Sequence, residues 1–423
     1  MKHPFWPLVV AMACSPAPPV ANQMSPERPL PQRKVPPPEP AATTTTPAED
    51  RVPVGKLEPL ARFVPKRVAV LDHERVVLAA ASTTPESPVV VGVRAGGEWL
   101  WTHREAYADD IRVAVSAERV AVAFRQTDIN RVACEHTLRV LDADGNGLWA
   151  WNYKTHAVCN EGVEALAIDA ANNVYVAFEH GGRAKLDAIT PKSRKVLVSF
   201  SPSGKRRWHQ SLPPRVTIES MAVRGTTLAL AATADPDAQP DFGHGKRTVR
   251  GFSFSDGIVA TYDTDGRPGW DGALARGMAS FGKVGGIGIM QDGSIVAAVS
   301  VEGTTRRGWV LHVRGDASGH ALPPTWTHEL PQDVLPTGLV VGDDDRVVAI
   351  GTSRDPTKLA TGRVKHWHEP DRGLIVELTS DGNIGETWIR EGFLPASVSA
   401  GADGKLVVAG VSVPGYAGAL LML

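Results

Sequence analysis

A polar turn followed by an alternating apolar strand recurs seven times along this chain. The copies are "DHERVVLAA" (72–80), "SAERVAVAF" (116–124), "AANNVYVAF" (170–178), "VRGTTLALA" (223–231), "MQDGSIVAA" (290–298), "GDDDRVVAI" (342–350) and "GADGKLVVA" (401–409). Their strands begin near Val76, Val120, Val174, Leu228, Ile295, Val347 and Leu406, about 55 residues apart. A unit of this length cannot bury its own apolar face, so the copies are expected to pack side by side.

A glycine followed four residues later by a tryptophan forms a second repeat between these strands. Three copies are sharp, "DADGNGLWAW" (142–151), "SPSGKRRWHQ" (201–210) and "YDTDGRPGW" (262–270), and three are looser, "AGGEWLW" (95–101), "GDASGHALPPTW" (315–326) and "SDGNIGETW" (380–388). An Asp-Gly pair between two alternating runs turns a hairpin, because glycine tolerates positive φ. We therefore interpret Asp263 and Asp265 as turn residues rather than ion ligands, since serines replace both aspartates in the copy at 201–210.

Each unit reads as four strands, a to d, with the glycine turn between c and d and the tryptophan on d. Four antiparallel strands repeated at this period are typical of a β-propeller. The last unit ends at "GALLML" (418–423) without a fourth strand, and "RVPVGKLEPL" (51–60) precedes the first complete unit. The sequence predicts an all-β, seven-bladed β-propeller of four-stranded antiparallel blades over residues 51–423, with the ring closed by the N-terminal strand.

The stretch "LDADGNGLWAW" resembles the tryptophan-docking repeat of the pyrroloquinoline-quinone-like propellers. The residues that match the repeat are Leu141, Asp142, Ala143, Gly145 and Trp149. The resemblance implies the propeller fold, which hosts many functions. Quinone-dependent dehydrogenases of that superfamily need a quinone with calcium, and several carry adjacent cysteines. Because this sequence has no adjacent cysteines, no cofactor is predicted.

The first residues, "MKHPFWPLVVAMAC", have a basic start, an apolar run too short to span a bilayer, and small residues before Cys14. "AMAC" resembles the lipobox of bacterial lipoproteins, in which the cysteine is lipidated. The alternative is an ordinary secretory signal with an incidental cysteine. We predict a lipoprotein signal peptide at 1–13, lipidation of Cys14, and a Pro/Thr-rich disordered tether at 14–50. The expected location is the bacterial cell envelope, at the outer membrane or periplasmic face.

The strands of such a blade alternate in direction, so the b–c loops and d–a connections open on one side of the ring, here called the loop face. The a–b and c–d turns lie on the opposite side, the turn face. Long b–c loops are predicted at 179–195, 233–251 and 352–370, and long loops on a rigid scaffold often carry function. Binding residues are predicted at His244, Lys246, Arg247, Arg250, Lys358, Arg363, Lys365, His366, Trp367, His368 and Arg372.

These loops are basic, and the first one also carries Lys185, Lys192, Arg194 and Lys195. The basic residues indicate an anionic partner, or alternatively a solvated rim. His366 and His368 on an extended segment favour either a metal site or exposed side chains, and no metal is predicted. The HExxH, GxSxG, P-loop and Cys-x-x-Cys signatures are absent from the sequence. Cys134 and Cys159 fall on the loop face, where they form either a disulfide or two separate buried thiols.

The charge of the chain is balanced, with 45 Lys+Arg against 46 Asp+Glu, so no nucleic-acid partner is expected. The predicted function is that of an envelope lipoprotein whose propeller is a non-catalytic binding or scaffolding module. Its expected partner is an envelope protein or an anionic glycan. The chain is expected to be a monomer that meets the membrane through its lipid anchor only. The alternative is a hydrolase or lyase that acts on a polysaccharide in the central channel.

Overall fold

A computed structural model of the chain describes most of Glu49–Leu423, which is one of two units into which the chain divides. The described residues are 57–60, 63–72, 74–82, 89–95, 98–105, 108–127, 134–155, 162–179, 193–247, 256–274, 281–302, 307–331, 334–353, 372–391, 393–401, 404–412 and 417–422. Within these ranges the chain forms strands and turns, and there is no helix long and apolar enough to cross a membrane.

In the part of the chain that the structure describes, 28 strands form seven four-stranded antiparallel sheets, the blades of a propeller. From the inner strand outward, blade 1 consists of β2 (Phe63–Val70), β3 (Arg75–Ser82), β4 (Val89–Ala95) and β5 (Glu98–Glu105), and blade 2 consists of β6 (Ala108–Val115), β7 (Arg119–Thr127), β8 (Cys134–Asp142) and β9 (Gly147–Thr155). Blade 3 consists of β10 (Val163–Ile168), β11 (Val174–Glu179), β12 (Lys195–Phe200) and β13 (Arg206–Ser211). Blade 4 consists of β14 (Val216–Arg224), β15 (Thr227–Ala234), β16 (Asp256–Asp263) and β17 (Pro268–Ala273).

The remaining blades follow the same order of strands. Blade 5 consists of β18 (Phe281–Ile289), β19 (Ile295–Glu302), β20 (Arg307–Val313) and β21 (Trp326–Glu329). Blade 6 consists of β22 (Leu335–Val341), β23 (Val347–Ser353), β24 (Arg372–Leu378) and β25 (Ile384–Glu391). Blade 7 consists of β26 (Phe393–Ala400), β27 (Leu406–Ser412), β28 (Ala417–Met422) and β1 (Leu57–Leu60). The prediction of seven four-stranded blades is therefore confirmed.

The ring closes in blade 7, where the N-terminal strand β1 pairs with the C-terminal strand β28. Leu57 lies opposite Leu421, and Leu60 lies opposite Gly418. This pairing removes the open edge that β28 would otherwise expose. The donor of the missing strand was predicted correctly.

The inner strands of the neighbouring blades 7 and 1 are also joined by hydrogen bonds from backbone amides of blade 1 to serine side chains of blade 7. The amide of Val68 donates to Ser397 Oγ at 3.2 Å, and that of Val70 donates to Ser399 Oγ at 3.0 Å. Backbone donors on the inner strand of blade 1 are thereby satisfied by the neighbouring blade.

The core is divided among the interfaces between blades. Among the described residues, each pair of neighbouring blades shares a cluster of buried side chains. Between blades 3 and 4, for example, Tyr175 and Leu197 pack with Leu228 and Leu230, and none of the four is exposed. Valine, alanine and leucine dominate the buried side chains of these strands, because both faces of each blade are covered by neighbours.

On the turn face, each of four tryptophans on an outer strand docks against the c–d turn of the next blade. The indole Nε1–H donates to a backbone carbonyl at 2.9–3.1 Å in the pairs Trp101–Ala143, Trp149–Pro202, Trp208–Thr264 and Trp326–Ser380. In each pair the carbonyl lies two residues before a glycine with positive φ, and that glycine faces the indole ring. The tryptophan thus fixes the spacing of adjacent blades.

The turn at 263–267 is a hairpin turn, as predicted. Gly266 has φ of 86°, and its amide donates to the Asp263 carbonyl at 2.9 Å. The Asp263 carboxylate accepts from the amides of Asp265 and Arg267 at 2.9 and 2.8 Å. In the copy without aspartates, Ser201 Oγ accepts from the Lys205 amide in the same way. The aspartate therefore caps the turn, and a serine can replace it.

Candidate functional site

The structure describes four of the residues predicted to bind a partner: His244, Lys246, Arg247 and Arg372. Arg372 is the first residue of β24 and pairs with Ser353, at the loop-face end of blade 6. The other predicted binding residues lie outside the described residues: Arg250, Lys358, Arg363, Lys365, His366, Trp367 and His368. Their contribution to a binding site stays a prediction.

The cysteine predictions fall partly outside the described residues as well. Cys134 begins β8 and pairs with Thr127 and Thr155 at the loop-face end of blade 2. Cys14 and Cys159 are not among the described residues. Lipidation of Cys14 and a bond between Cys134 and Cys159 therefore stay predictions.

The long loop that follows β15 is described from residue 235 to 247 and is packed against the core. Ala238 and Phe242 are 3% and 4% exposed and belong to the buried cluster between blades 3 and 4. The Arg247 amide donates to the Pro240 carbonyl at 2.8 Å. Burial of an aromatic side chain and a backbone bond across the loop hold this segment in one conformation.

Arg247 holds the end of this segment through an ion pair with a buried carboxylate. Its Nε donates to Asp271 Oδ1, and its Nη2 donates to the Gly319 carbonyl at 3.1 Å. The Asp271 side chain is fully buried. Burial raises the pKa of Asp271, while the Arg247 charge opposes that rise. Arg247 thus ties the loop to the outer strand of blade 4 and to the c–d connection of blade 5.

His244 and Lys246 occupy different environments within the same segment. The His244 ring packs on Gly319, where a β-carbon would overlap it, and its Nε2 is buried. Lys246 is exposed and borders a cavity of about 420 Å³. The other residues around this cavity are Ser211, Leu212, Pro213, Pro214, Arg215, Asp237, Ala238, Gln239 and Asp241. Of the residues predicted to bind a partner in this segment, His244 and Arg247 are therefore packed in the structure, and Lys246 faces solvent beside the cavity.

A second cavity lies on the axis of the ring, with a volume of about 560 Å³. The inner strands of all seven blades line it, and most of the lining side chains are valine, alanine, leucine, isoleucine and glycine. The charged side chains in the lining are Arg67, Arg112, Glu164, Glu219, Arg224 and Asp343. The channel is therefore lined by aliphatic residues together with polar groups and a small number of charged side chains.

Every inner strand contains a β-bulge at the same height in this channel. The pairing skips one residue in six of the blades, and two in blade 2. The residues that follow the bulge, here called the bulge ring, are Arg67, Arg112, Ala165, Ser220, Gly286, Gly338 and Ser397, paired with Ala79, Ala123, Ala177, Ala231, Ala298, Ile350 and Ala409. Bulges re-aim side chains and are frequent beside functional sites.

Glu164 and Glu219 are the bulge residues of blades 3 and 4. Lys195 Nζ is bound to Glu164 Oε1 and lies 3.3 Å from Glu179 Oε2, and the Ile218 amide donates to Glu164 Oε2 at 3.2 Å. Burial raises the pKa of Glu164, and the Lys195 charge opposes that rise. Lys195, which the sequence placed on the basic loop face, is therefore paired with the carboxylates of Glu164 on β10 and Glu179 on β11.

At the turn-face end, Arg224 braces three blades. From the end of β14 in blade 4, its Nη1 donates to the Ile289 carbonyl of blade 5 at 3.0 Å and to Asp345 Oδ1 of blade 6 at 2.8 Å. Its Nη2 donates to the Asp343 carbonyl at 2.9 Å. These bonds occupy the Arg224 guanidinium and make it a structural group.

Sequence reasoning missed the bulge ring, although a signal for it exists. The inner strands read "PKRVAV", "DIRVAV", "VEALAI", "IESMAV", "VGGIGI", "PTGLVV" and "PASVSA" just before each a–b turn. Aligned at that turn, they place Arg67 and Arg112 in one column and Glu164 and Glu219 in the column before it. The pairing of Asp271 with Arg247 has no comparable signal in the sequence, because it joins two segments that share no repeated pattern.

No known protein family and no curated protein matches this sequence. Among solved structures, the chain is similar to the Dos1 propeller, with 10% identity and a TM-score of 0.43 over 86% of this chain and 93% of that chain. It is also similar to an acylaminoacyl peptidase of Pyrococcus horikoshii, with 9% identity and a TM-score of 0.49 over 85% of this chain and 51% of that chain. A protein of unknown function from Bacteroides caccae gives 9% identity and a TM-score of 0.36 over 75% and 94%.

Proposed function

We propose that this chain is an envelope lipoprotein, lipidated at Cys14, whose propeller is a non-catalytic binding or scaffolding module. In this proposal the loop face contacts an envelope protein or an anionic glycan. The observation that carries it is the packed segment 235–247, which is fixed by Phe242 and by the Arg247–Asp271 pair. A loop that is ordered before contact loses less entropy on binding, so it is suited to recognition.

The cavity beside this segment presents basic groups to a partner. Lys246 is exposed and lines the 420 Å³ cavity together with Arg215, and Asp237 and Asp241 belong to the same lining, so a partner there needs groups of both signs. The sequence at 354–371, which connects β23 and β24, contains further basic residues. A partner held by such charges binds more weakly as salt rises, because surface charges are screened.

The test is capture of partners from the native envelope with two loop variants. Ser353 and Arg372 are direct cross-strand partners, so replacement of 354–371 by Asn-Gly should close blade 6 with a two-residue turn. The matched control replaces 128–133 by Asn-Gly between Thr127 and Cys134 in blade 2. We expect the partner to be lost with the first variant and retained with the second. Retention by both variants and by Lys246→Glu would refute the proposal.

Envelope attachment is tested separately with Cys14→Ser. We expect wild type to incorporate a radiolabelled fatty acid and to fractionate with membranes, and the variant to do neither. Incorporation by the serine variant would contradict the anchor but would leave the binding module intact.

The alternative function, a hydrolase or lyase that acts on a polysaccharide, has one observation in its favour. Glu164 and Glu219 are the bulge residues of neighbouring blades and line the same channel, and the pKa of Glu164 is raised by burial. Paired carboxylates are the usual machinery of glycoside hydrolysis. Both oxygens of Glu164 are already bound, however, which favours a structural role. Hydrolysis of a polysaccharide by wild type but not by Glu219→Gln would support the enzyme.

A further inference from the structure

The cavity of about 420 Å³ beside Lys246 lies between two segments that are joined to each other. Arg215 belongs to the d–a connection between blades 3 and 4, and its carbonyl accepts from the Asp235 amide of the b–c loop at 2.9 Å. Its Nη2 also donates to the Pro236 carbonyl at 2.6 Å. Because hydrogen bonds hold the two walls together, the cavity is shaped before a ligand arrives, and less entropy is lost on binding.

The lining of this cavity combines apolar groups with polar groups that have no partner in the fold. Leu212 and Ala238 are 1% and 3% exposed and belong to the core between blades 3 and 4. Asp237, Gln239 and Lys246 are exposed, and within the described part of the chain no hydrogen bond or ion pair engages their side chains. An apolar floor with a few polar groups is typical of small-molecule sites, and the volume is within their usual range.

The other charged residues of the lining, Arg215 and Asp241, are engaged within the loop. Asp241 Oδ1 accepts from two backbone amides of the loop, at 2.9 and 3.0 Å. Arg215 Nε lies 3.7 Å from Asp235 Oδ2. The charges that remain for a ligand are therefore one positive group, at Lys246, and one negative group, at Asp237.

Asp237 occupies a backbone position that favours glycine. The Ala238 amide donates to the Asp235 carbonyl at 3.1 Å, so 235–238 is a β-turn with Pro236 second and Asp237 third. Asp237 has φ of 59°, and a positive φ at the third position is typical of a type II turn, where glycine or asparagine is preferred. An aspartate is less stable there than a glycine, and strain of this kind is frequent at binding sites. The turn itself gives no reason for the carboxylate.

The three unpartnered groups match the polar parts of a short peptide. An ammonium group pairs with a carboxylate, a carboxylate pairs with an ammonium group, and a side-chain amide both donates to and accepts from a peptide group. We propose that this cavity binds a short peptide with free termini, with its carboxylate at Lys246, its ammonium group at Asp237 and a peptide group at Gln239. The apolar floor then contacts a small apolar side chain. This inference rests on the proposed function, because it assigns a ligand to the same binding module.

The experiment is calorimetric titration of the full chain with trialanine, N-acetyl-trialanine, trialanine amide and free alanine as separate probes. We expect trialanine to bind once per chain and to raise the Tm, because a ligand of the folded state stabilises it. Blocking either terminus should weaken binding by about tenfold or more, since one charge-assisted contact is lost. The proposal fails if trialanine does not bind or if the blocked peptides bind equally well. Equal affinity for alanine would replace the peptide by an amino acid and overturn the proposal.

Variants at the two charged positions separate binding from a structural role. Asp237→Gly should weaken trialanine binding by about tenfold or more without lowering the Tm of the unliganded protein, because the turn accepts glycine. Lys246→Gln should weaken binding of trialanine but not of trialanine amide, which lacks the terminal carboxylate. The matched control is Lys205→Gln, an exposed lysine of the c–d turn of blade 3 on the turn face, and it should bind like wild type. Unchanged affinity in Asp237→Gly and Lys246→Gln would overturn the proposal, as would a marked fall in the Tm of Asp237→Gly.

The outcome is distinguishable from that of partner capture. If trialanine does not bind while an envelope partner is still captured through 354–371, the proposed function stands and the peptide site is wrong. If trialanine binds and no partner is captured, the peptide site stands and the larger contact is wrong.

Discussion

The turn face and the bulge ring are both built from one element per blade, yet they use the repeat in different ways. On the turn face the side chains repeat, so that Trp101, Trp149, Trp208 and Trp326 make the same bond to the next blade. In the bulge ring the backbone repeats in every blade, while the side chains change from arginine to glycine. The docked tryptophans of the turn face therefore set the geometry of the ring, and the bulge ring places chemically different side chains at equivalent positions of that geometry.

The largest effect is expected from loss of the closing strand, on which both regions depend. A chain that begins at residue 61 lacks β1 and exposes the edge of β28. At about 1 kcal/mol per hydrogen bond, we expect a loss of about 4 kcal/mol and self-association through the free edge. Thermal unfolding and size-exclusion chromatography measure the two outcomes. A chain that begins at residue 51 retains β1 and is the control, and equal stability of the two chains would contradict the closure.

The c–d connection of blade 5 is held by Arg247 and Asp271 instead of by one of the four docked tryptophans. Arg247→Met leaves the buried Asp271 carboxylate without its partner and should destabilise the fold by about 3 kcal/mol near neutral pH. The folded-state pKa of Asp271 is raised, and it should rise further in the variant. The loss of stability in the variant is therefore largest at pH values well above the unfolded-state pKa of Asp271. It decreases as the pH falls toward that pKa, because the buried carboxyl group is then protonated in the folded state.

Denaturant unfolding of Arg247→Met and wild type at about pH 7 and about pH 4 measures this deficit. The control is Arg307→Gln, whose exposed ion pair should contribute less than about 1 kcal/mol at either pH. A deficit that grows on acidification would rule out the buried carboxylate as its cause.

Three glycine-to-alanine substitutions test how much the docking turns contribute to stability. Gly266 has φ of 86°, and a β-carbon there would lie 2.7 Å from the Trp208 ring, so Gly266→Ala should cost about 2 kcal/mol. Gly225 has φ of 57° with open space around it, and Gly225→Ala should cost about 1 kcal/mol. Gly147→Ala adds neither strain nor overlap and should be neutral. Chemical unfolding measures all three, and an equal cost at Gly266 and Gly225 would exclude a contribution from the tryptophan.

Only a small effect on stability, comparable with that of Gly147→Ala, is expected in the channel. Glu219 is a bulge residue, outside the strand pairing of blade 4. Glu219→Gln keeps the shape of the side chain, so the free energy of unfolding should change by less than about 0.5 kcal/mol. The same unfolding measurement checks this. A cost as large as that of Gly266→Ala would mean that the bulge positions hold the ring together as the docking turns do.

The fold could be predicted because its signals are periodic and local. Alternating strands, Gly-x-x-x-Trp turns and an incomplete last unit gave the blade number and the closing strand, and Gly266 and Asp263 take the predicted turn. The candidate sites were less accessible. Lys246 lies on the exposed rim as expected, but the packing of Phe242 and the pairing of Arg247 with Asp271 join segments that share no pattern. Arg67 and Arg112 required an alignment of the inner strands, where a bulge shifts the side chains out of simple alternation.

The pairing of β1 with β28 also determines the order of events during synthesis. Blades 1 to 6 contain only consecutive hairpins and can form as soon as their own strands are present, whereas Leu57 must wait for Leu421. Contacts between such distant residues form slowly, and the nascent blade edges stay available to other chains until then. We therefore expect ring closure to be the last step of folding, and the interval before it to be the one in which a chaperone is most useful.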